Sequence, residues 1–153
     1  DPGYVVCYEK LNGRPPMSFD LYLQAFQNGK AAGVAPEIIR NAFGKYVIEI
    51  EEDFWQVQYG VDESSDIFLQ FLPDDVSLVH TLSIHRPCGD IRLWESLCLL
   101  LELPGTILYY LGCDAPLARD SQAGINMPDD MRESLGEPVI VSKALEIFQS
   151  IDM

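Results

Sequence analysis

At 153 residues, 48% of them hydrophobic, the chain is one domain in length and can bury a real core without metals or disulfides. Its net charge of -14, from 24 acids against 10 Lys and Arg, repels nucleic acid and anionic membranes and favours a cationic partner. The apolar content argues against a disordered acidic tail.

Cys7, Cys88, Cys98 and Cys113 are too far apart for a CxxC knuckle and too few for a secreted disulfide scaffold, so reduced thiols in the cytoplasm are expected. The densest apolar run, LCLLLEL from Leu97 to Leu103, is interrupted by Glu102 and too short to span a bilayer. Residues 1–16 read as a vector-derived or processed extension, and residues 17–153 as a single domain.

In chain order, MSFDLYL from Met17 alternates, with Phe19, Leu21 and Leu23 on one face, which predicts a half-buried strand. A turn is expected over Gln27–Gly33. Pro36 opens and Gly44 closes a short amphipathic helix carrying Ile38, Ile39, Ala42 and Phe43. YVIEIEE, FWQVQYG and DIFLQFL then predict consecutive antiparallel strands, rich in aromatic and β-branched residues. In the second of these, Trp55, Val57 and Tyr59 share one face and Phe54, Gln56 and Gln58 the other; alternation leaves open which face is wet.

After a turn at Pro73–Asp75, VSLVHTLSIHR predicts a strand with Val76, Leu78, His80, Leu82 and Ile84 inward and Ser77, Val79, Thr81, Ser83 and His85 outward. Asp90 is placed to cap DIRLWESLCLLLEL, whose Leu93, Trp94, Leu97, Cys98, Leu100 and Leu101 form a broad apolar stripe. GTILYYLG reads as a strand, DAPLARDSQAGINM as a loop, PDDMRESLG as a short helix and VSKALEIFQSI as a last helix. The expected fold is α+β: a mostly antiparallel sheet with the main core helix packed on one face and short C-terminal helices.

His80, His85, Cys88 and Cys113 offer zinc-ligand chemistry, but His80 and His85 are an odd number of strand positions apart and point to opposite faces, so no metal and no cofactor are expected. Cys88 with His85 three residues upstream is a conceivable thiol–base pair at a helix start, without a nucleophile motif around it. Asp74–Asp75 and Asp129–Asp130 sit where turns and helix starts use acids for capping. No catalytic role is assigned.

The stretch EIEEDFWQVQYGVDESSD, Glu49–Asp66, is different in kind. No Lys or Arg lies between Lys45 and Arg86, and a charge of -14 exceeds the magnitude of about 2–8 that solubility asks of a small domain. Interfaces concentrate Trp and Tyr as anchors within polar rims, and opposite charge speeds association. The expected partner-binding residues are therefore Glu51, Glu52, Asp53, Asp62, Glu63 and Asp66 as the field, with Trp55 and Tyr59 as anchors.

NAFG at Asn41–Gly44, LSIHRPCGDIRLWESLCLL at Leu82–Leu100, TILYYLGCDAPL at Thr106–Leu117 and MPDDMRESLGEP at Met127–Pro138 look like segments of a group of small bacterial proteins. That group resembles the immunity proteins encoded beside interbacterial toxins, including type VI secretion effectors. The resemblance implies a cytoplasmic antidote that binds its cognate toxin, and the acidic field suits a basic, nuclease-like toxin surface. Its rivals are an effector chaperone or adaptor gripping an apolar helix, the Cys88–His85 thiol enzyme, and a nucleic-acid mimic without a single partner.

Overall fold

The computed structural model describes residues Phe19–Ile151. The 1–16 extension, Cys7 and the expected strand start at Met17 lie outside the described residues. From Asp20 onward the architecture is α+β. A nine-stranded sheet carries the fold, and every pairing is antiparallel except one.

The first strand, β1, covers Leu21–Gln27 and buries Leu21, Leu23 and Ala25, continuing the alternation expected from Phe19. Asn28 and Gly29 both take positive φ, 52° and 78°, which is the backbone of a two-residue hairpin turn. The turn leads at once into the two-residue β2, Lys30–Ala31, inside the Gln27–Gly33 span expected as a turn. Helix α1, Pro36–Phe43, starts on Pro36 and stops at Gly44, whose φ of 69° a side chain would resist. It buries Ile39 and Phe43.

Strands β3 (Val47–Glu51), β4 (Phe54–Gly60), β5 (Glu63–Phe71) and β6 (Val79–His85) form an antiparallel meander. The sheet order then returns to β1 and runs through β7 (Thr106–Tyr109) and β8 (Leu117–Ala118) to β9 (Val139–Ile140). β8 and β9 pair in parallel. The segment expected as a loop therefore contains β8 and the short helix α3, Ala123–Asn126; only two residues each are extended in β8 and β9, too few to alternate visibly.

In β6 the expected phase is only half right. Leu82 and Ile84 face the core as anticipated, but Val79 is buried and Val76 is 73% exposed outside the strand. The cause is a register shift: Gln70 pairs with Thr81 and Phe71 with Val79, so His80 is one extra residue on β6. A bulge of this kind flips every side chain before it.

Helices α2 (Ile91–Leu100) and α5 (Ala144–Ile151) pack with α1 over one face of the sheet, and their apolar residues merge with those of β1, β4, β5 and β6 in one core. All six residues of the expected α2 stripe are buried, while Leu99 on the far side is half exposed. A smaller cluster, Phe26, Ile107, Ala118, Ala123 and Met127 with Met131 and Leu135, lies under α3 and α4 (Asp129–Leu135). Among the described residues the opposite face is thus covered only toward β7 and β8.

Asp90 caps α2 as expected, accepting the Arg92 backbone N–H at 2.9 Å, and it also takes the Arg92 guanidinium with both oxygens at 2.8 Å. Arg92 lies over Tyr46 and Tyr59, 4.8 and 5.1 Å from the ring centroids. Burial pushes the Asp90 carboxyl up, and the Arg92 hydrogen bonds outweigh it, leaving the pKa below the ordinary Asp value. Because the folded pKa is depressed, this contribution is present above the unfolded pKa of about 3.9 and is lost as pH falls through the folded value. Asp90→Ala is expected to cost about 2–4 kcal/mol, adding a lost cap to lost charged hydrogen bonds. Urea unfolding at pH 7 and pH 3 checks this: the gap between wild type and Asp90→Ala should shrink at the lower pH.

Candidate functional site

The expected site residues are not brought together as a single patch. Trp55 is 2% exposed and Tyr59 is 9% exposed, so neither is a surface anchor. The reason lies in which face the helices cover. Trp55, Val57 and Tyr59 form the β4 row that meets the core, Arg40 of α1 lies over the Trp55 ring at 5.5 Å, and Tyr59 packs beside Tyr46 at 5.0 Å. Desolvation is also the main cause that pushes the Tyr59 hydroxyl pKa well above its ordinary value.

The acids divide between the two ends of β4. Glu51, Glu52 and Asp53 stand at the β3–β4 turn, whereas Asp62 and Glu63 stand at the β4–β5 turn. The seven residues of β4 separate the two turns by roughly 20 Å at about 3.3 Å per residue. Asp66 lies between them on the uncovered face, accepting a hydrogen bond from Gln56 at 3.2 Å. Glu51, Glu52, Asp53, Asp62 and Asp66 make no ion pair among the described residues; Glu49 is held by Arg40.

What sequence reasoning missed is the other row of β4. Phe54 stacks on Phe68 of β5 with centroids 4.7 Å apart and planes 13° from parallel, and Phe68 touches the His85 ring at 4.5 Å. Phe68 is 37% exposed, and on the neighbouring edge strand Ile48 and Ile50 are 47% and 50% exposed. Phe54 pairs across to Glu51, so the aromatic pair adjoins the Glu51–Asp53 turn. Strands β3, β4, β5 and β6 contain no Lys or Arg at all. The result is an apolar centre with an acidic rim, the layout of a protein interface.

The uncovered face is not uniform. Toward β1 and β7 it is closed on itself: the Tyr109 hydroxyl donates to Gln24 Oε1 at 2.9 Å, the Gln24 amide donates to Thr81 Oγ1 at 2.8 Å, and Thr81 meets His80 Nδ1 at 2.6 Å. These polar groups are already satisfied by one another. Among the described residues, the surface left open is the half over β3, β4 and β5.

The thiol–base pair does not assemble. Cys88 is 1% exposed and packs in the core, where burial pushes its thiol pKa up, away from the reactive thiolate. His85 faces the other side of the sheet, against Phe68 and 3.7 Å from Asp20. His80 is the extra residue at the bulge, half-buried, and its Nδ1 meets Thr81 Oγ1 rather than any thiol. Among the described residues no three His, Cys, Asp or Glu side chains are grouped to hold a metal ion. No helix among them is long and apolar enough to cross a membrane.

Comparison with protein families, curated proteins and solved structures found no match to this chain.

Proposed function

We propose that the chain is a non-enzymatic binding protein of the immunity type, which neutralises a cognate antibacterial toxin in the cytoplasm by covering a basic surface of it. The observation that supports this reading is the half-open sheet face, where Phe54 and Phe68 stack beside exposed Ile48 and Ile50 and are rimmed by acids that make no ion pair among the described residues. Aromatic anchors supply the desolvated centre of an interface, and the surrounding carboxylates steer a cationic partner onto it. A toxin that acts on nucleic acid presents such a cationic surface, because it must hold phosphates.

The site residues move accordingly. Glu51, Glu52, Asp53 and Asp66 stay in the contact surface with Phe54 and Phe68 at its centre, while Trp55 and Tyr59 serve the core beneath it. Asp62 and Glu63 contribute only long-range charge.

Co-expression with the product of the adjacent reading frame tests the proposal. The two proteins should coelute, and association should slow steeply as salt rises from low to physiological ionic strength. Failure to coelute would remove the antidote reading. Coelution whose rate and affinity ignore salt would favour the chaperone or adaptor instead, since a groove for an apolar helix does not depend on charge.

A further inference from the structure

Resting on the protein-binding reading above, we propose that the outer edge of β3 takes up an extended, Lys- or Arg-bearing segment of the partner as an added antiparallel strand. β3 stands at the end of the sheet order, paired to β4 on one side and to no strand on the other among the described residues. An outer strand leaves alternate backbone N–H and C=O groups unpaired, and such a row is a template for another chain. Proteins usually blunt it with charge, lysine above all, with proline, with a bulge or with a covering element. β3 has neither lysine nor proline, and all of it beyond Val47 is exposed.

The side chains of β3 state which segment fits. Ile48 pairs across to Gln56 and so lies on the same face as Phe54 and Phe68, where an apolar residue of the incoming strand would extend the exposed centre. Glu49 points to the helix side and is already held by Arg40. Glu51, Glu52 and Asp53 follow without an ion pair among the described residues, within reach of a Lys or Arg near one end of the segment. The bulge between Glu49 and Glu51 bends the strand, so regular backbone pairing is confined to Val47–Glu49. A second copy of the chain fits less well, because it brings its own charge of -14 to an edge that is already acidic.

Residue-resolved amide exchange on the full chain, with a short synthetic peptide of alternating Val and Lys, tests the proposal. The peptide should slow exchange about tenfold at the outward amide within Ile48–Glu49, the Val47 N–H being already bonded to the Gly44 carbonyl. The same peptide N-methylated at alternate residues, which keeps its charge but loses its donors, should not, and neither should a Val and Glu counterpart. Unchanged exchange in β3 would overturn strand addition, and so would equal protection by the N-methylated peptide, which would mean adsorption by charge alone. Protection that rises with protein concentration in the absence of peptide would assign the edge to a second copy. If β3 does not respond while Phe68→Ala with Glu52→Lys still weakens association with the toxin, only the strand addition falls. If neither responds, the binding reading falls with it.

Discussion

Trp94→Ala should lower the unfolding free energy by about 3–5 kcal/mol, the largest loss expected from a single truncation in this chain. Trp94 is fully buried on α2, its ring meets Phe148 of α5 edge-on at 5.4 Å, and its indole N–H donates to the Cys88 carbonyl at 3.2 Å. Alanine would open a cavity where α2, α5 and the loop before α2 join, and would leave that carbonyl without its donor. In a domain of this size the expected fall in Tm is roughly 6–20 °C. Trp94→Phe separates the two causes: it refills most of the volume and should cost about 1 kcal/mol, near the value of one hydrogen bond. Ile48→Ala, on the exposed edge strand, serves as the contrast and should stay within about 0.5 kcal/mol of wild type in the same urea titration. An Ile48→Ala loss as large as that of Trp94→Ala would mean that β3 is packed as core.

The α2 stripe was legible because ten helical residues sample the apolar period several times over, and a misplaced Leu or Trp would break it. Leu93, Trp94, Leu97 and Leu101 could hardly belong elsewhere. Alternation in β4 likewise separated Trp55, Val57 and Tyr59 from Phe54, Gln56 and Gln58, but both rows carry large aromatics. Which row is buried is decided by where α1 and α2 land, a long-range fact that a period of two does not contain. Arg40 settling over Trp55 and Arg92 over Tyr59 are parts of that landing. The bulge at His80 was hidden for a related reason: an extra residue leaves the local composition of the strand intact and changes only its phase.

The acidic field misled in a different way. Asp53 and Asp62 are close along the chain, and adjacency in sequence reads as adjacency in space. A strand reverses that expectation, because intervening extended residues carry the two turns it joins to opposite ends of the sheet. The acidic field is therefore split between the two ends of β4. Its Glu51–Asp53 half borders the Phe54–Phe68 pair, while Asp62 lines a polar groove with Gln56, Asp66, His85 and the cation Arg86.

That asymmetry yields the sharpest functional expectation. Phe68→Ala combined with Glu52→Lys should weaken toxin association by about a hundredfold, whereas Asp62→Lys should change it by no more than about threefold at physiological salt. Phe68 is a solvent-facing aromatic stacked on Phe54, so its truncation removes contact area at the centre of the surface with little loss of core. Its effect belongs in the dissociation rate. Glu52 is exposed in the β3–β4 turn without an ion pair among the described residues, and reversing its charge places a cation against the toxin's own, slowing association and flattening the salt dependence. Asp62, roughly 20 Å away, acts through screened long-range potential only. Stopped-flow association and dissociation rates, with unfolding curves confirming that each variant keeps its stability within about 1 kcal/mol, decide the matter. Equal losses from Asp62→Lys and Glu52→Lys would mean that net charge, not this surface, holds the partner. A Phe68→Ala chain that dissociates no faster than wild type would remove the aromatic pair from the contact and leave the acids without a centre.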